Sequence, residues 1–318
     1  MKVGVIGTGM VGATAAYAML MRGVGREIVL IDRDRERAEA EANDILHAAP
    51  FTYDIDVYAG DYANLEGARV VVITAGVAQK PGETRLQLLE KNAAILKEII
   101  ANIYAVAPEA ILVMTTNPVD VMTHIAAGYA GEYGVPSTRI IGSGTTLDTA
   151  RFRALLGREI EIDPGHIHAY VVGEHGDSEV LAWSAVTVGG LPLDDFCDQH
   201  RLDICGDRRL EIDRMVRNAA YEIIHGKGAT YYGIGAALSR IVNVILRDQR
   251  AILTVCTPLE DIEGVKDVTI SIPQLLGGQG ILDTFPPVLD QAEHQALRSS
   301  VLVIKDAITS YEEHQQHG

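Results

Sequence analysis

Three short segments hold the side chains best suited to chemistry. They are Gln-Lys-Pro-Gly-Glu-Thr-Arg at 79–85, Asp-Thr-Ala-Arg at 148–151 and Gly-Glu-His-Gly-Asp-Ser at 173–178. A histidine titrates near neutrality, so His175 suits transfer of a hydroxyl proton. A buried carboxylate such as Asp148 fixes the imidazole tautomer and stabilises the imidazolium. A planar guanidinium, Arg151, holds a carboxylate through paired hydrogen bonds. A second cation, Arg85, stabilises charge developing on a carbonyl oxygen. Together these groups meet the needs of interconverting a 2-hydroxy acid and its keto acid, with a cofactor carrying the hydride.

Each residue alone also has an ordinary reading. Arg85 is equally a solvated charge at a helix start, and His175 a satisfied core histidine. Asp148 and Arg151 are spaced for an i,i+3 surface pair. Spacing along the chain does not show that they converge.

The elements that must position these groups begin with Gly7-Thr8-Gly9-Met10-Val11-Gly12. This GxGxxG follows an apolar strand, Val3 to Ile6, and opens a helix, Met10 to Met21. In that context it predicts a dinucleotide turn. Gly7 permits the turn, Gly9 lets a pyrophosphate approach the backbone, and Gly12 lets helix and strand pack closely. The helix N-terminus supplies free N–H groups and partial positive charge. A tight turn with no ligand is the plain alternative. A second strand, Glu27 to Asp32, ends on a carboxylate suited to the adenosine ribose hydroxyls, which favours NAD over NADP despite Arg33 alongside. Asp32 also reads as a helix N-cap with Glu36 nearby.

The rest of the first half alternates strands and helices, the signature of parallel βαβ units. A charged helix spans Arg35 to His47, and strands fall at Val57 to Ala59, Arg69 to Thr74 and Ile111 to Met114. A loop, Gly76 to Glu83, and a long helix, Leu86 to Val106, lie between the last two. The pattern changes near Gly142. A helix carries Asp148 and Arg151, Ile167 to Val172 alternates as one antiparallel strand, Val268 to Ile272 reads as part of a hairpin, and a charged helix closes the chain. These features predict a Rossmann-type doubly wound sheet over 1–141 and an α+β catalytic domain over 142–318, tightly packed.

Composition narrows the partners. A net charge of −16 over 318 residues disfavours nucleic acid and anionic membrane surfaces. No apolar run approaches the ~20 residues of a membrane span, and no signal peptide is read at the N-terminus. The three cysteines, Cys197, Cys205 and Cys256, form neither a disulfide framework nor a zinc pattern, which points to a reducing cytoplasm. His166, His168, Glu174, His175 and Asp177 cluster in sequence, but no metal is expected because hydride chemistry needs none.

Beyond the glycine turn and the Gln-Lys-Pro-Gly-Glu-Thr-Arg loop, four further segments stand out: TTNPVD at 115–120, GSGTTLDTARFR at 142–153, HAYVVGEHGDSEV at 168–180 and KGATYYGIG at 227–235. Order and spacing of all six resemble the L-lactate/malate dehydrogenase family over most of the chain, with bacterial lactate-type members nearest. The least distinctive stretches are 181–210 and the last thirty or so residues. The resemblance implies an NAD-dependent enzyme of pyruvate and L-lactate, placed in glycolysis and pyruvate fermentation. It implies His175 as proton donor and acceptor, Asp148 as its partner, Arg151 on the substrate carboxylate and Arg85 on the carbonyl. Asn117 would touch substrate and nicotinamide, and Thr230 would line the pocket. Val11, Asp32, Arg37 and Tyr62 would contact NAD, as would Gly76, Val77, Thr115 and Ser143. Loop 77–85 would be a lid flexing at Gly82.

Within the family, the position of Gln79 faces the group on C3 of the substrate. Malate-type members place an arginine there to meet a second carboxylate, so Gln79 implies pyruvate over oxaloacetate. The alternatives are a malate dehydrogenase and a non-catalytic NAD-binding protein on the same fold. The family is commonly tetrameric. In resembling bacterial members, residues matching Arg153 and His168 bind fructose 1,6-bisphosphate across a two-fold interface. The ordinary reading of both is interface or surface structure.

Overall fold

The computed structural model describes residues 1–77, 82, 84–204 and 206–317, with Arg85, Gln316 and His317 described by their backbone. Residues 78–81 and 83 of the expected lid, and with them the Gln79 contact, lie outside the described residues, as do the Arg85 side chain and Cys205.

The first elements are β1 (Lys2–Ile6), α1 (Met10–Met21), β2 (Glu27–Ile31), α2 (Arg35–Leu46), β3 (Asp56–Ala59), β4 (Ala68–Ile73), α3 (Arg85–Val106), β5 (Ile111–Met114), α4 (Val119–Gly131) and β6 (Ile140–Gly142). Their strands are all parallel in the order β3-β2-β1-β4-β5-β6. Strand order reverses between β1 and β4, and ligands bind such sheets at the carboxyl ends beside the reversal.

There follow α5 (Thr146–Glu159), β7 (Ile167–His168), β8 (Val171–Val172), β9 (Val180–Leu181), β10 (Thr187–Val188), β11 (Leu191–Pro192), α6 (Leu193–His200), α7 (Gly206–Lys227), α8 (Tyr232–Leu246), β12 (Ala251–Ile262), β13 (Val265–Gly277), β14 (Gly280–Thr284) and α9 (Gln291–His317). The long strands β12, β13 and β14 are antiparallel and extend the first sheet to nine strands, joined through Cys256 of β12 opposite Gly142 of β6. The sheet thus runs through residue 141. The expected single strand Ile167–Val172 is broken at Ala169-Tyr170. Its halves enter two different small sheets, β7 with β10 and β8 with β9.

Alternation along the central strands explains the layers. Val3, Val5, Ile28, Leu30, Val70 and Val72 are buried against α1 and α8. The residues between them, among them Ile6, Val29, Ile31, Val71 and Ile73, are buried with α3, α4 and α9. A strand buried on both faces has no polar side to show, which is why these runs are almost wholly apolar. A third core, around Phe152, Leu156, Ile167 and Phe196, joins α5, α6 and α7 to the small strands. It holds α5, and with it Asp148, against the sheet end.

Candidate active site

The glycine turn occupies the carboxyl end of β1. Gly7 has φ of 95°, and a Cβ there would sit 2.6 Å from the Ala75 nitrogen. A Cβ on Gly12 would lie 1.9 Å from the Gly7 carbonyl oxygen. Gly9 differs: a Cβ there would meet nothing within 4 Å. Its bareness is not required by the protein's own packing. The open space lies at the N-cap of α1, where the first N–H groups are free for an anion.

Asp32 follows β2 and faces this turn. Its Oδ2 accepts the Thr8 N–H at 2.6 Å and the Thr8 hydroxyl at 3.1 Å, and Oδ1 accepts the Asp34 N–H at 3.0 Å. Partial burial alone would raise its pKa, but these bonds and Arg37 hold the carboxyl below the usual range. The N-cap of α2 is Asp34, not Asp32, since Asp34 accepts the Arg37 N–H. Asp32 remains an anionic acceptor at the strand end.

The other expected cofactor residues fall into two groups. Val11 lies half-buried in the first turn of α1, beside exposed Met10. Gly76 and Val77 follow β4, where the Val77 N–H donates to buried Asn92 at 2.9 Å. Thr115 follows β5 with a buried hydroxyl that lacks a partner among the described residues. Exposed Asn117 and buried Ser143 stand at the ends of β5 and β6. These positions share the carboxyl edge of the parallel strands. Tyr62 is partly buried against the core on the α3 side, where Asn102 bonds its hydroxyl. Arg37 is exposed on α2.

The second cluster assembles around His175. Asp148, 2% exposed, accepts at both oxygens: Oδ2 lies 2.7 Å from His175 Nδ1, and Oδ1 takes Arg151 Nη1 at 2.6 Å. The i,i+3 pair therefore forms, but it is buried and shared with an imidazole. Buried hydroxyls fix α5 beneath it. Thr149 Oγ1 accepts the Val171 N–H at 2.9 Å and meets Thr254 Oγ1 at 2.8 Å, and Thr145 Oγ1 donates to the Val171 carbonyl. Thr230 is half-buried in the turn between α7 and α8.

Three consecutive backbone groups clamp the loop that carries His175. Gly173 exchanges hydrogen bonds with Ser271 of β13, the Glu174 N–H donates to Ser300 of α9 at 2.8 Å, and the His175 N–H donates to Asp120 of α4 at 2.8 Å. Gly173 has φ of 96°, and a Cβ there would press on Ser300. Asp120, the last residue of the TTNPVD segment, is 1% exposed, and its role is not apparent from the sequence. Burial pushes its carboxyl up to about 6 against the His175 N–H bond and imidazole charge.

Burial would lower the His175 pKa, but the Asp148 bond and charge, with help from Asp120 and Glu179, push it up to about 9. Among the described residues, the sequence cluster of His166, His168, Glu174 and Asp177 does not gather with His175. His166 ends a turn before β7, Glu174 binds Ser178, and Asp177 accepts the Tyr221 hydroxyl. The atoms gathered are instead those of Asp148, His175 and Glu179, within 4.8 Å of one another. No local pattern in the sequence singles out Glu179. Arg153, expected to bind a regulator, donates from Nε to the Ala169 carbonyl at 3.0 Å and lies over the Tyr170 ring. His168 is exposed on β7.

A dinucleotide turn after β1 and a His–Asp–Arg cluster built on α5, which follows β6, fit a nicotinamide-dependent dehydrogenase. Residues 1–142 match the profile of the lactate/malate dehydrogenase NAD-binding domain, and residues 145–315 match that of the α/β C-terminal domain. The chain belongs to this family. It is 60% identical over 310 residues to the L-lactate dehydrogenase of Geotalea daltonii, covering 98% of this chain and 99% of that one. The L-lactate dehydrogenase of Thermus aquaticus is 52% identical with the same coverage. Among solved structures, the minor L-lactate dehydrogenase of Enterococcus mundtii superposes with a TM-score of 0.92 at 40% identity, covering 97% of this chain and 98% of that one. The cofactor is NAD. Within the turn, the open space at Gly9, together with the anionic Asp32 and the Thr115 hydroxyl that has no partner among the described residues, fits that molecule.

Proposed function

We propose that the protein is an L-lactate dehydrogenase that reduces pyruvate with NADH and runs in reverse with L-lactate and NAD. The reading rests on one observation above all. Asp148 on α5, which follows β6 of the sheet that carries the dinucleotide turn, holds His175 and Arg151 together at 2.7 and 2.6 Å. NADH supplies the hydride to C2 of pyruvate. Arg151 has one N–H group engaged by Asp148 and offers its other donors to the substrate carboxylate. With Nδ1–H donated to Asp148, His175 Nε2 is the atom that gives its proton to the substrate oxygen. Asp148 stabilises the imidazolium before transfer and keeps the neutral ring in the right tautomer after it. Arg85, first residue of α3, polarises the carbonyl in this reading, and Gln79 and Thr230 line the methyl side. The division into a cofactor unit over 1–141 and a catalytic unit over 142–318 belongs to the same proposal.

Substrate choice is tested by following NADH absorbance with pyruvate and with oxaloacetate. Pyruvate is expected to give the higher kcat/KM, and Gln79→Arg to move preference toward oxaloacetate by about tenfold or more, because a buried carboxylate gains a counter-charge. Preference for oxaloacetate in the unmutated protein rejects the lactate assignment. NADH binding without turnover on either acid leaves a non-catalytic binder.

The same resemblance supports a cytoplasmic homotetramer controlled by fructose 1,6-bisphosphate. No described helix is long and apolar enough to cross a membrane, and Cys197 and Cys256 are free and buried. Exposed Leu210, Met215, Ile223 and Ile224 give α7 an apolar surface suited to subunit contact. Arg153 is anchored on the backbone next to His168, so both serve one stretch of surface. Activation should lower the pyruvate KM and should vanish in Arg153→Gln. An undiminished response in that variant removes the site.

A further inference from the structure

Glu179 immediately precedes β9 and is 3% exposed. Its Oε1 has no hydrogen-bond partner among the described residues. A buried carboxylate without full hydrogen bonding is strongly disfavoured, so such a group tends to keep its proton. Its neighbours add to that preference. Asp148 on α5 is already an anion, and one oxygen of each carboxyl lies within 4.8 Å of the other and of a His175 ring nitrogen. Among the described residues, the cations nearby bond to other groups. Arg151 on α5 is engaged by Asp148, and Arg217 on α7 by Asp213 and the Asp177 carbonyl. Asp120 on α4 accepts the His175 backbone N–H. Burial first, then the Asp148 charge, push the Glu179 carboxyl up to about 8, against Arg217, His175 and Arg151.

Resting on the lactate dehydrogenase reading, we propose that Glu179, buried and incompletely bonded beside the Asp148–His175 pair, is a positioning residue that holds a second proton whose loss is coupled to that of His175. Two carboxyls then share one imidazole. As pH rises above neutrality the two groups lose their protons in coupled steps, and the Glu179 anion, once formed, favours the imidazolium. The acid form needed to reduce pyruvate therefore persists to higher pH than Asp148 alone would sustain. In turnover the proton leaves His175 Nε2 for the substrate oxygen. Glu179 takes no part in that transfer. The apparent pKa values then belong to the pair and not to His175 by itself.

Two measurements test this. In the pH profile of kcat/KM for pyruvate, Glu179→Gln should move the alkaline limb down by about one unit. That is the shift expected for one charge at about 5 Å partly offset by flanking cations. Glu179→Asp, which keeps an ionisable carboxyl, should recover part of it. A role in packing alone would scale activity equally at all pH values, so an unmoved limb in Glu179→Gln overturns the proposal. The second measurement is independent of turnover and of any folding defect in the variant. In the unmutated protein, labelled with ¹⁵N-histidine and saturated with NADH, the His175 ring signal assigned by its loss in His175→Asn should titrate in two steps. A single step overturns the proposal, whereas two steps with no turnover on pyruvate would leave the coupling intact and reject the lactate reading.

Discussion

His175 Nδ1 and Asp148 Oδ2 lie 2.7 Å apart, while Arg151 occupies the other Asp148 oxygen at 2.6 Å. One buried carboxylate thus orients both the proton carrier and the cation for the substrate carboxylate. Asp148→Asn keeps the shape but loses the charge that stabilises the imidazolium. Turnover should fall by about 10² to 10⁴-fold with NADH affinity unchanged. Pyruvate KM should also rise, because Arg151 loses its anchor. A variant within a few-fold of the parent in kcat would remove Asp148 from the mechanism.

The two directions of the reaction should respond oppositely to pH. The His175 pKa is raised, to about 9, so its protonated form prevails through neutrality. Reduction uses that form, and kcat/KM for pyruvate should be level near neutrality and fall about tenfold per unit above the raised pKa. Oxidation uses the neutral ring, so kcat/KM for lactate should climb with pH and level off in the same region. Limbs near the ordinary histidine value of about 6.5 would mean that Asp148 does not act on the ring as its geometry implies.

The glycine turn separates packing from cofactor binding. Gly9 has φ of −66° and ψ of −176°, which any residue adopts, and a Cβ there meets open space. Gly9→Ala should leave the melting temperature within about 2 °C and weaken NADH binding about tenfold or more, as the methyl enters the path of the pyrophosphate. A Cβ on Gly12 would lie 1.9 Å from a backbone oxygen. Gly12→Ala should therefore destabilise the fold itself by about 1–3 kcal/mol or more. Calorimetry and NADH titration of both variants check the contrast. Equal melting losses would contradict it.

Much of this site is legible in the sequence because its parts are local. The turn, the strand-ending Asp32 and the α5 spacing of Asp148 and Arg151 follow from short-range patterning. What escapes is long-range. Asp120 and Ser300 matter because α4 and α9 deliver them to the backbone of 174–175 from 55 and 126 residues away. Glu179 reads as an ordinary polar letter until the fold buries it. The expected strand over Ile167–Val172 shows the converse limit. Its alternation is genuine, since Ile167, Ala169 and Val171 are all buried, yet the two halves take different partners. Side-chain period fixes a face, not a pairing. Strands β12 and β13 join the first sheet through a bond partner at Gly142, and no local pattern announces that choice.

The most direct measurement is turnover and cofactor binding in His175→Asn. The asparagine cannot carry a proton but leaves the glycine turn and Asp32 untouched. NADH should bind with unchanged affinity by fluorescence titration, while pyruvate reduction falls by about 10³-fold or more at neutral pH, with the alkaline limb gone. Turnover near that of the unmutated protein, or a residual rate that keeps the same alkaline limb, would contradict the assignment of His175 as the proton donor.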